Sequence, residues 1–88
     1  MKTEFILLAQ YDGLAVIPTE IVCRDYFRHL TAEKFLRKVL AGEINIPVVR
    51  MEGSQKTAKG VHVADLAAYL DKRAEAARKE CEQLKQSA

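Results

Sequence analysis

The sequence predicts a small α+β domain that is mostly α, and three observations carry that expectation. Apolar residues recur at helical spacing through most of the chain, but between Ile44 and Val63 the pattern shifts to the alternation of short strands. The length of 88 residues, 49% of them apolar, suffices for one core and not for two. Glycines and capping residues stand where the pattern changes, so the elements have marked ends.

Taken in order, Thr3 is placed to cap a short helix from Glu4 to about Tyr11 that Gly13 ends, with a strand through FILL as the alternative. Pro18 and Thr19 open a second helix to about Phe27. Pro is tolerated in a first turn, and Val22 with Tyr26, like Cys23 with Phe27 and Leu30, repeats at helical spacing. After a brief turn around His29 and Leu30, Thr31 caps a third helix, TAEKFLRKVLAG, which Gly42 stops. At roughly 100° per residue, Ala32, Phe35, Leu36, Val39 and Leu40 share one arc and form the expected core face. Lys34, Arg37, Lys38 and Ala41 share the opposite arc. An amphipathic helix, a short turn and a basic helix make a candidate helix-turn-helix.

Ile44, Ile46, Val48 and Val49 with Met51, and then Val61 with Val63, read as two short strands. Pro47 confines the first to an edge or an early position, which suits a two-stranded hairpin wing better than a central sheet. Gly53 and Gly60 bracket SQKTAK, so the expected object is a hairpin with a lysine-bearing tip. From Asp65 the chain reads as one long helix, with Val63 or Ala64 just outside it. Leu66, Tyr69, Leu70, Ala74, Ala77, Cys81 and Leu84 form its narrow apolar stripe. Beyond about Arg73 this helix outruns any core the chain can supply. Leu70, Ala74, Ala77, Cys81 and Leu84 are therefore candidates for the interface of a homodimer or higher homo-oligomer. The expected organisation is a single winged helix-turn-helix domain over residues 1–88, with residues about 64–86 as its C-terminal helix.

The formal charge of +2 is unevenly distributed. Residues 1–20 set Lys2 against Glu4, Asp12 and Glu20, whereas residues 24–59 set eight basic side chains against four acidic ones. From residue 64 onward the signs balance, so the positive excess lies in the middle. Such a concentration suits a polyanionic partner, with a solvated basic face as the plain alternative.

Other functions fit poorly. Cys23 and Cys81 lie far apart without CxxC spacing or a nearby histidine cluster, and read as core or interface thiols. His29 and His62 have no metal-ligand spacing, nucleophile elbow or phosphate loop beside them. Glu43 and Glu52 lack a cleft-forming domain around them, and GSQKTAKG lacks the GK[ST] of a Walker loop. No enzyme, metal or cofactor is expected. FILLA is too short for a signal-peptide core, and no apolar run approaches the roughly 20 residues of a membrane span, so a cytoplasmic protein is expected.

AQYDGLAVIPTEIVCRDYF, HLTAEKFLRKVLAGEI and PVVRMEGSQKTAKGVHVADLAAYLDKR together resemble the pyocin activator family, the PrtN-type transcription activators of Pseudomonas and its prophage-like elements. The likeness runs from about Thr3 to Glu82. A broader similarity, through AGEINIPVVRM and VADLAAYL, links the chain to the winged helices of excisionases and the heads of MerR-type regulators. A longer wing tip and a longer first connection set this sequence apart from them.

The first resemblance implies an activator that binds repeated promoter boxes upstream of bacteriocin genes. The residues themselves offer a basic helix for the major groove and a hairpin for adjacent phosphates or the minor groove. In that scheme Lys34, Arg37 and Lys38 face bases and nearby phosphates, with Arg28 and Thr31 as backbone anchors. Ser54, Gln55, Lys56, Thr57 and Lys59 form the wing contact, and Arg50 braces or touches the backbone. Double-stranded promoter DNA is the expected partner, with RNA polymerase as a further candidate. The competing expectation is a small phage or prophage interaction module that grips a regulator or polymerase subunit through its long helix.

Overall fold

The computed structural model describes residues 2–54 and 56–87. In chain order these form α1 (Thr3–Gln10), β1 (Val16–Pro18), α2 (Thr19–Tyr26), α3 (Ala32–Leu40), β2 (Val49–Arg50), β3 (Lys59–His62) and α4 (Val63–Ser87). The mostly helical α+β class is as expected, but the sheet is not a two-stranded hairpin. It has three antiparallel strands in the order β1-β3-β2. β1 carries no sequence signal, because three residues, VIP, are too few to display alternation and their partners lie far along the chain. Ile17 faces Val61 and Pro18 faces Gly60. A Cβ on Gly60 would come within 2.6 Å of the Ile17 carbonyl oxygen and 2.7 Å of Val16 Cγ1, so the absent side chain is what permits this approach.

The helices follow their local signals closely, with instructive exceptions. Thr31 caps α3 as expected, its hydroxyl accepting from the Lys34 amide at 3.2 Å. At the other end Gly42 takes φ of 77°, and the Glu43 amide donates to the Lys38 carbonyl at 2.9 Å. Thr3, by contrast, does not cap α1. It lies inside the helix, and its hydroxyl donates to Asp71 Oδ1 at 2.6 Å, fastening α1 to α4. The turn after α1 uses Asp12 as well as Gly13 in the left-handed region, with φ of 53° and 78°. Asp tolerates that region better than most residues.

α4 starts earlier than the sequence suggests, with Val63 inside it. His62 Nδ1 accepts from the Ala64 amide at 3.1 Å, and the Val63 amide reaches the Ala15 carbonyl at 2.8 Å. The histidine thus caps the helix start. Ile44 and Ile46 are not in a strand, since β2 covers only Val49 and Arg50; both isoleucines are buried in irregular chain leading to it.

One cluster of buried side chains joins the elements, including Leu7, Ile17, Val22, Phe27, Phe35, Ile44, Ile46, Val61, Val63 and Leu66. Phe27, at the end of α2, meets Phe35 of α3 at 4.9 Å and Tyr69 of α4 at 5.7 Å between ring centroids, both tilted. The expected core face of α3 needs one correction: Leu40 is 87% exposed. It sits at the edge of the apolar arc, on the last turn of α3, beyond the reach of the core.

α1 and α2 are also linked by polar groups. The Tyr11 hydroxyl donates to Asp25 Oδ2 at 2.6 Å, and Tyr26 donates to Gln10 Oε1 at 2.7 Å. Arg24 donates through Nε to Asp25 Oδ1 at 2.9 Å and through Nη2 to Oδ2 at 3.2 Å. Hydrogen bonds from Arg24 and then Tyr11 hold the Asp25 carboxyl below the usual carboxylate range. Burial, followed by the bond to Asp25, pushes the Tyr11 phenol upward.

Gly60→Ala is expected to lower the free energy of unfolding by about 1–3 kcal/mol in urea titrations, because the sheet must open to admit the methyl group. At Gly53 nothing lies within 4 Å of the position a Cβ would take, so Gly53→Ala should stay within about 0.5 kcal/mol. Tyr11→Phe should cost about 1 kcal/mol near neutrality. Because the folded carboxyl of Asp25 is held low, its contribution is present above the ordinary carboxylate range and fades as pH falls through it. The cost of Tyr11→Phe, followed by thermal melts against pH, should shrink along that same fall.

Candidate nucleic-acid interface

Local folding presents α3 on the surface next to the β2–β3 hairpin. The five residues Phe27–Thr31 separate α2 from α3, and the Leu30 amide closes this turn on the Phe27 carbonyl at 2.9 Å. Arg28 is exposed, its Nε donating to the Arg24 carbonyl at 3.3 Å. Arg28, Leu30, Thr31 and Ala32 line an open hollow with Glu20, Cys23 and Arg24. The start of α3 opens beside that hollow, where the helix dipole favours an anion. Arg24 borders it too, but its guanidinium is engaged by Asp25.

On α3, Lys34 and Arg37 are exposed, and Lys38 is half-buried. Arg37 Nη2 lies 3.7 Å from Glu33 Oε1 and Lys38 Nζ lies 3.6 Å from Glu43 Oε1. Both pairs are solvent-exposed, so each holds its partner weakly and can be exchanged for a stronger anion.

In the hairpin, Arg50 pairs with Lys59 in the β2–β3 register, which sets two cations side by side on one face. The Met51 amide extends the ladder by donating to the Ala58 carbonyl at 3.1 Å. At the tip, Ser54 Oγ accepts from the Lys56 amide at 3.2 Å, and the Thr57 amide donates to the Ser54 carbonyl at 3.4 Å. Ser54 is therefore occupied with shaping the turn, while Lys56 is exposed and Thr57 half-buried. Lys59 is half-buried as well. Gln55, the remaining expected wing residue, lies outside the described residues.

These residues lie in separate regions of the surface. Lys38 occupies the flank of α3 away from the β2–β3 hairpin, in a hollow with Phe27, His29, Glu43, Tyr69 and Arg73. The flank facing the β2–β3 hairpin is apolar: Leu36, Val39 and Leu40 look across at Val48, with Arg50 and Lys59 on the far side. Two basic regions thus border an apolar groove. Sequence reasoning misses the groove because it assigns Leu40 to the core, whereas Leu36 packs against the core and lines the groove as well; the available signal is the position of Leu40 at the margin of the apolar arc nearest the outward face.

The expected oligomer residues divide along α4. Leu70 is half-buried against the core and Ala74 is half-buried, whereas Ala77 and Cys81 are exposed and Leu84 is 73% exposed. The stripe that buries Leu66 continues in phase past the domain. The 25 residues of α4 span about 37 Å, the main reason the molecule is 52 Å long and 30 × 19 Å across. No group of three or more metal-ligating side chains occurs among the described residues, and none of their helices is long and apolar enough to cross a membrane.

The family model described as Pyocin activator protein PrtN matches residues 3–77, which include the sheet, the α2–α3 pair and the first half of α4. No curated protein and no solved structure gives a significant match.

Proposed function

The chain belongs to the pyocin activator family, and from that premise we propose that it activates transcription of pyocin, that is bacteriocin, genes by binding their promoter DNA. It does so as a winged helix-turn-helix, α3 entering the major groove and the β2–β3 hairpin reaching adjacent phosphates or the minor groove. The observation that carries this reading is the sequence of parts: α2, a five-residue turn, a capped α3 with exposed Lys34 and Arg37, then a cationic hairpin. Arg28 and the amides at the start of α3 anchor the phosphate backbone beside the hollow they line. Exchange of the weak Arg37–Glu33 and Lys38–Glu43 pairs for phosphates or base acceptors supplies much of the affinity. Action on promoters puts the protein on the nucleoid, in the cytoplasm.

The exposed end of α4, with Ala77, Cys81 and Leu84 in phase with its buried stripe, suits pairing with a second copy. Phe5 and Ile6, 57% and 51% exposed on α1, favour a protein contact in addition, with RNA polymerase as the candidate. The same residues support the second reading, an interaction module for a regulator or polymerase subunit that uses its basic face only incidentally.

The two readings separate by salt. If DNA is the ligand, affinity for promoter fragments falls by about 0.9 log units per log unit of salt for each phosphate neutralised. The joint change of Lys34, Arg37 and Lys38 to Ala should abolish gel retardation while the circular dichroism spectrum stays unchanged. Lys38→Ala alone should have the smallest effect of the three, given its place on the flank away from the wing. Normal retardation by the triple variant would remove α3 as the reading helix. Truncation after Arg73 should lower the mass of the assembly in sedimentation equilibrium, and an unchanged mass would dismiss the tail as the oligomer contact.

A further inference from the structure

Leu40 presents 87% of its surface to solvent, more than any other exposed large apolar side chain among the described residues. It lies one turn after Leu36 on α3 and three residues after Arg37. With Leu36, Val39 and Val48 it lines an open groove of about 420 Å³ whose wing side is formed by Arg50 and Lys59. An apolar floor here stands inside a cationic surface: Arg37 is beside it on the helix, Arg50 and Lys59 opposite on the hairpin, and no acidic residue is among the groove's described lining. A wholly apolar peptide would not draw on the positive charge of Arg50 or of the solvent-exposed, weakly paired Arg37. A phosphate or sugar would leave the leucines without use. Duplex DNA offers both characters at one place, since the C5-methyl group of thymine stands in the major groove near the phosphate backbone.

Resting on the DNA-binding reading above, we propose that Leu40, backed by Leu36, takes up the methyl group of a thymine in the promoter box. Arg37 and Arg50 hold phosphates or base edges on either side. The contact makes Leu40 a specificity-determining residue. It selects thymine over cytosine, which has no methyl group at that position, and does so without a hydrogen bond.

The test measures dissociation constants for the box that the chain protects in a footprint of pyocin promoters, with each thymine in turn replaced by deoxyuridine. That exchange removes the methyl group alone. At one thymine the replacement should weaken binding about fourfold, the worth of burying one methyl group. Leu40→Ala should bind the thymine and deoxyuridine boxes equally, and Leu40→Met should keep most of the difference. Thermal melting of both variants checks that the fold is retained, as expected at so exposed a position. Equal sensitivity in Leu40→Ala and in the unchanged chain, or indifference to every methyl group in a chain that still binds the box, overturns this inference alone. Failure of the unchanged chain to bind promoter DNA overturns the DNA-binding reading and the inference with it.

Discussion

The pairing of Val16–Pro18 with Gly60–His62 is the constraint on which the rest of the structure depends. Through it β3 becomes a central strand, held by β1 on one side and by β2 on the other. A free two-stranded hairpin is at best marginally stable in water, whereas a third strand and a helix behind it give its base a fixed place. Ile17 and Val61, facing each other and fully buried, supply the apolar half of that contact. Gly60 supplies the steric half by leaving room for the Ile17 carbonyl. The hairpin tip can then be polar and charged, because its position is determined at the other end.

Elements with a local cause are legible in the sequence. The Thr31 cap, the Gly42 stop, the α2 periodicity and the long α4 stripe are each written within a few adjacent residues, and each stands where it is expected. What is not legible depends on distant partners. β1 has no pattern of its own and exists because β3 is there. Thr3 looks like a cap until Asp71 is brought within reach, and His62 has no assigned role until it meets the start of α4. Ile44 and Ile46 are apolar because they are buried, but they achieve burial in irregular chain rather than in a strand.

The candidate interface is legible in composition and not in layout. The expected basic residues are on or near the surface, yet tertiary packing decides which of them are available. Arg24 is matched to Asp25 within the α1–α2 link, while Arg28, four residues later, sits beside the start of α3 with only its Nε directed back to the helix. Leu40 shows the converse: an apolar side chain that a helical wheel assigns to the interior but that stands in the groove facing the β2–β3 hairpin. A wheel describes one helix in isolation, and the boundary between its buried and exposed arcs is set by neighbours it does not contain.

β3 passes into α4 without a connecting loop: His62 is the last residue of the strand and Val63 the first of the helix. The junction is held on both sides, by the His62 ring on the Ala64 amide and by the Ala15 carbonyl on the Val63 amide. There is accordingly no hinge between the wing and the helix. The projecting end of α4 behaves as a lever arm rather than a tether, so anything that grips it sets the angle of the wing as well as its distance. For two copies joined tail to tail, that rigidity would turn helix length into a ruler, fixing both the separation and the rotational phase of their two hairpins.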